Sequence, residues 1–107
     1  MSERTMARGE FDRELLEEAS HLVELVNGRN RAYAGEDALK CWRKRGLLGL
    51  LVRLEDKLHR FDTFVARGGA TEAEWRELLQ DIGGYAVCGL VWLGRGEDVH
   101  VKGEASE

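Results

Sequence analysis

The run Arg67-Gly-Gly-Ala-Thr-Glu-Ala-Glu74 constrains the fold more than any other stretch of the chain. Gly68 and Gly69 stop a helix, because glycine enters the left-handed backbone region that ends one without strain. Thr71-Glu-Ala-Glu74 starts another. The threonine hydroxyl accepts from the backbone of the third helical residue, and the glutamate there reaches back to the cap. Two helices joined by so short a link fold back on each other. With the turn centred near Gly68 and Gly69, Asp56 falls level with Asp81, Arg60 with Glu77 and Arg53 with Tyr85. One level of an antiparallel hairpin then carries facing carboxylates flanked by cations.

The rest of the pattern is also helical. The chain of 107 residues has no proline, 34% charged and 43% hydrophobic residues. That length is one domain, expected over 9–95 with tails at 1–8 and 96–107. Phe11, Leu15, Ala19, Leu22 and Val26 recur at helical spacing, and Gly28 is the expected end of that first helix. Residues 30–37 read as a loop, and a second helix is expected from Glu36 into Lys44, where Gly46 ends or kinks it. Gly46 to Val52 is apolar on nearly every face, so it reads as buried in a bundle or at a subunit contact. Gly46 and Gly49 would let another helix approach. From Arg53 onward, Leu54, Leu58, Phe61 and Val65 continue a core stripe, with Arg53, Lys57 and Arg60 on one flank. After Thr71, Trp75, Leu78, Leu79, Ile82, Ala86 and Leu93 form the core stripe. Glu74, Glu77, Asp81, Tyr85, Cys88 and Trp92 form a second one. Gly83 and Gly84 in mid-helix cost about 1 kcal/mol each relative to alanine, so they mark a close neighbour. The expectation is an all-α bundle of about four helices built on the hairpin of 46–67 and 71–94. It should pair as a homodimer, since one short bundle can scarcely bury both the Gly46–Val52 face and Trp92.

The net charge of −4 argues against a general nucleic-acid coat, although local basic groups can still hold a phosphate. Cys41 and Cys88 are too few for a disulfide framework and read as buried thiols in a reducing compartment. No apolar run approaches a membrane span, and the N-terminal residues have no signal-peptide core. The expected location is the cytoplasm.

Three groups of residues can carry chemistry. Asp56, Glu77 and Asp81, brought level by the hairpin, can hold Mg²⁺, which takes oxygen ligands and leaves positions for phosphate and water. Arg53, Lys57 and Arg60 can hold the phosphates. On spacing alone, interhelical salt bridges such as Arg60 with Glu77 are the favoured reading of the same residues. Asn30 and Tyr33 can contact a base or ribose, though such a loop is more often only a turn. Glu17, Glu18, His21 and Glu24 resemble half of a carboxylate-bridged metal helix, but the second copy of Glu-x-x-His that such sites need is missing. His100 lies in the tail.

The strings Asn30-Arg-Ala-Tyr33-Ala-Gly35-Glu-Asp37, Gly46-Leu-Leu-Gly49 to Arg53-Leu-Glu-Asp56-Lys57-Leu-His-Arg60, and Leu79-Gln-Asp81-Ile-Gly-Gly-Tyr85-Ala resemble the nucleotide modification associated domain family. Those are small all-helical proteins common in phages and bacteria. The resemblance covers residues 22–93. More distantly, the chain is similar to the MazG-like all-α nucleoside triphosphate pyrophosphohydrolases, which bind Mg²⁺ between a Glu-Glu-x-x-Glu helix and a Glu-x-x-Asp helix. Glu55-Asp56 would stand for the first pair, and Glu77 with Asp81 for the second. His59 and Leu78 stand where those enzymes have acids, so the implied ligand set is reduced. The resemblance implies a nucleotide-handling protein with a nucleotide or nucleoside triphosphate partner and, if it is active, Mg²⁺-dependent pyrophosphohydrolase-like chemistry, with metal on Asp56, Glu77 and Asp81 and phosphate on Arg53, Lys57 and Arg60. Asn30, Tyr33 and Tyr85 would face base or sugar. The competing expectation is a non-enzymatic helical interaction module, phage-encoded in that reading, whose charges are structural ion pairs.

Overall fold

A computed structural model of the chain describes residues 5–96, 98 and 101. Among them are three helices and no strand: α1 (Arg8–Ala34), α2 (Gly46–Ala66) and α3 (Glu72–Arg95). The protein is all-α, with three helices rather than about four.

The missing helix traces to two sequence signals. Gly28 does not end α1. No atom lies within 4 Å of where its side chain would be, so it sits on an open face of a continuous helix. The propensity cost of about 1 kcal/mol is borne there without a break. Gly35 ends the helix instead, with φ at 69° and its N–H on the Arg31 carbonyl at 3.2 Å. Asn30 and Tyr33 therefore lie in the last turns of α1 and not in a loop. The expected helix from Glu36 to Lys44 is a run of turns. Lys40 N–H bonds Asp37 O and Trp42 N–H bonds Leu39 O, both at 3.0 Å, an i→i+3 pattern. The Asp37 carboxylate accepts from the Leu39 N–H and pairs with Arg43. Such local side-chain bonds compete with helix formation.

The hairpin forms as its turn dictates. Gly69 N–H reaches Phe64 O at 2.8 Å and Gly68 N–H reaches Val65 O at 3.1 Å, which is the paired Schellman arrangement. Both glycines have positive φ, 95° and 137°. Across the turn, Thr71 Oγ1 accepts from Glu74 N at 3.1 Å and the Glu74 carboxylate accepts from Thr71 N at 2.9 Å. Arg67 ties the two ends together through Glu74 at 2.8 Å.

The core lies between α2 and α3. Leu50, Phe64, Leu78 and Trp92 are buried there, with Ala34 the remaining buried apolar residue among those described. Burying a side chain such as Leu78 contributes about 1.5–3 kcal/mol. Phe64 meets Trp75 edge to face at 5.0 Å, and the Arg60 and Arg67 guanidinium groups lie over the Phe64 ring. The α1 helix packs on α3 and not on the α2 backbone. It does so where the glycine pair makes room: side chains at Gly83 and Gly84 would stand 3.2 Å from Leu22 and Val26.

The expectation for Gly46 to Val52 is only partly met. Gly46 and Leu50 are buried, but Leu48, Leu51 and Val52 are exposed. Gly46 makes room for Asp98 and for the Trp92 indole of α3, whereas Gly49 faces Arg45. Trp92 is buried within the single chain, so its burial needs no partner. No helix of the described residues is long and apolar enough to cross a membrane.

Candidate functional site at the three-helix junction

Asp81 is the charged side chain on which all three helices converge. It lies on the α3 stripe that faces α2 and is 8% exposed. Arg29 of α1 donates Nη1 to Oδ1 at 2.8 Å, and Lys57 of α2 places Nζ 3.1 Å from Oδ2. Each carboxylate oxygen thus has its own cation. Burial pushes the Asp81 carboxyl up, but hydrogen bonds from Arg29 and Lys57 outweigh it and hold the group below the usual aspartate value. The cations are not equally enclosed: the side chain of Lys57 is 24% exposed and that of Arg29 47%.

The register expected from the turn is met one level away, where Arg60 Nη2 donates to Glu77 Oε1 at 2.9 Å. At the Asp81 level the partner is Lys57 and not Asp56. One residue along a helix turns a side chain by about 100°, which separates the flank facing α3 from the solvent side. Asp56 is exposed. Arg53, one turn before Lys57, is exposed, and Tyr85, one turn after Asp81, is half-buried. Asn30 is next to Arg29 in sequence and donates its amide to Ala38 O at 3.0 Å, which fastens the turn segment to α1. Tyr33 is exposed.

Asp56, Glu77 and Asp81 are not gathered into one group among the described residues. Both Asp81 oxygens accept from cations, Glu77 pairs with Arg60, and Asp56 stands apart. No group of three or more metal-ligating side chains occurs among the described residues. Of the Glu17, Glu18, His21 and Glu24 group, Glu18 pairs with Arg76 of α3 at 3.1 Å, and all four are exposed. Cys41 is exposed, whereas burial pushes the Cys88 thiol up.

Two residues of consequence escaped the sequence reading. Arg29 was hidden behind Gly28, although it continues the Leu22–Val26 spacing that faces α3. Asp98 lies in the expected tail, yet it is buried and its Oδ2 accepts from Leu47 N at 2.5 Å and Trp92 Nε1 at 2.6 Å. An acid placed shortly after the helix-ending Gly96 was the available signal. A shallow concavity of about 480 Å³ lies at the hairpin turn, lined by Arg67 to Thr71 and Glu74, and does not include Asp81.

No family model, no curated protein and no solved structure matches the chain. The class defined by fold and site is accordingly structural: a small three-helix protein with a doubly ion-paired carboxylate at its junction.

Proposed function

We propose that the chain is a nucleotide-handling protein that takes phosphate at the Asp81 junction. The observation that carries this reading is the double ion pair, Arg29–Asp81–Lys57. Lys57 and Asp81 lie in the α2 and α3 stretches that resemble the nucleotide modification associated domain family, and Arg29 stands next to Asn30, where the third such stretch begins. Two cations against one carboxylate leave a surplus positive charge, and Arg53 lies one turn away. Guanidinium and ammonium groups held in place by a buried carboxylate suit a phosphate, because their donors are aimed before the ligand arrives. In this reading Arg53, Lys57 and Arg60 neutralise phosphate, and Asn30, Tyr33 and Tyr85 contact sugar or base.

The test is a thermal shift with a panel of nucleoside mono- and triphosphates, with and without Mg²⁺. A ligand that binds only the folded state raises the midpoint. The expected result is a rise without Mg²⁺ that Lys57→Ala removes. No rise at millimolar nucleotide would sink the reading.

A second reading, a non-enzymatic interaction module, is favoured by a different observation. Among the described residues, eighteen large apolar side chains are exposed, while five apolar residues form the core. Here the ion pairs only hold the helices in place, and Lys57→Ala lowers the unliganded midpoint without any nucleotide effect to lose.

A further inference from the structure

We infer that a second copy of this chain covers one side of the α2–α3 hairpin, so that two hairpins make a four-helix bundle. The inference does not depend on what the Asp81 junction binds.

Leu51, Leu58 and Val65 fall seven residues apart on α2, and all are exposed. Leu79, Ala86 and Leu93 fall seven apart on α3 and are exposed too. The observed pairing of Arg60 with Glu77 sets the level of the two helices. It puts Leu51 about level with Ala86, and Leu58 about level with Leu79. Helical periodicity, with the two helices antiparallel, turns both rows to the same side of the hairpin. Lys57, Arg60 and Asp81 face the seam between the helices, so neither row is interrupted by their charges. A seven-residue apolar repeat on a helix is the pattern that packs against another helix bearing the same repeat. A row on each of two antiparallel helices is what a two-fold axis completes into a bundle.

The chain as a whole also exposes more surface than a compact monomer of its mass. The chain exposes 8627 Å². A compact monomer of 12.1 kDa exposes about 6000 Å² by the general scaling of area with mass. The radius of gyration is 17.1 Å, against about 13 Å for a compact domain of this length. Permanent homodimers hide roughly 1,000–2,500 Å² per chain, which matches most of the excess area. The strip itself is apolar, with Leu58 57% and Leu79 66% exposed, and the exposed acids Glu55 and Asp62 edge the α2 row. A second copy supplies the matching rows without any new chemistry.

Sedimentation velocity of the full chain tests this. The expected mass is about 24 kDa, twice 12.1 kDa, at roughly 100 µM. Leu58→Glu with Leu79→Glu should give the 12.1 kDa species with helical circular dichroism retained. Should that variant unfold, Leu58→Ala with Leu79→Ala should weaken self-association at least tenfold. A wild-type chain that stays monomeric over the whole range overturns the inference. So does an oligomer whose mass and dissociation are unchanged by the substitutions.

Discussion

Asp81 and Asp98 are buried to nearly the same degree, 8% and 9% exposed, yet they tie together different parts of the fold. Asp81 accepts from two charged side chains that belong to two other helices. Asp98 accepts from a backbone N–H at the start of α2 and from the indole of Trp92. The helix start offers unpaired N–H groups and a partial positive charge, so Asp98 acts as a cap delivered from a distant point in the chain. Asp81 fixes how three helices stand relative to one another, whereas Asp98 fastens the chain beyond α3 to the α2 start. Removing Asp81 strands two cations together; removing Asp98 strands, among its donors, the Leu47 N–H and the Trp92 indole.

The largest effect should come from Asp81→Ala. Breaking a buried pair from one side costs about 3–5 kcal/mol, and the half-exposed Arg29 places this site at the lower end, about 3 kcal/mol. Urea denaturation measures it, and a cost below that of Asp98→Asn would break the comparison. Asp98→Asn keeps an oxygen acceptor but loses the charge, so about 1–2 kcal/mol is expected. A shift in Trp92 fluorescence should accompany it.

Acid titration sharpens the contrast. The folded-state pKa of Asp81 lies below its value in the unfolded chain. The unfolded state therefore takes up the proton first as pH falls. The stabilisation is complete above the ordinary aspartate range, declines as pH falls through that range, and is gone below the folded pKa. In stability-versus-pH curves, Asp81→Asn should flatten this acid limb. An unchanged limb would mean that the double ion pair is not formed in solution. The smallest effect should come from Arg60→Gln, which removes the exposed pair with Glu77. Exposed pairs contribute roughly 0–1 kcal/mol, and a loss well above that would show that exposure does not separate the strong ties from the weak ones.

What the sequence reveals follows how local the physics is. The turn at 67–74 was legible because both caps are written within a few residues, and its position then gave the Arg60–Glu77 level. Gly83 and Gly84 correctly announced a close neighbour, since mid-helix glycines have no local purpose. The Asp81 partner was not legible: whether Asp56 or Lys57 faces α3 depends on the rotation of α2 about its axis, which tertiary packing sets. Gly28 misled because an exposed glycine inside a helix and a helix-ending glycine look alike in sequence. The 36–45 stretch misled because helix propensity lost to the side-chain bonds of Asp37. The expectation of facing carboxylates thus became a carboxylate faced by cations.

Because α1 packs on α3 and not on the α2 backbone, the molecule has a built-in parting line. The hairpin closes over a short sequence separation and carries most of the core, so it gains its contacts early at little loop-closure cost. Docking α1 comes later and rests on the Gly83-Gly84 crossing and the Arg29 tie. Local opening should follow the same line in reverse. Amide hydrogens of α1 should exchange sooner than those of α2 and α3 around Leu50 and Leu78, making α1 a detachable arm on a more durable hairpin.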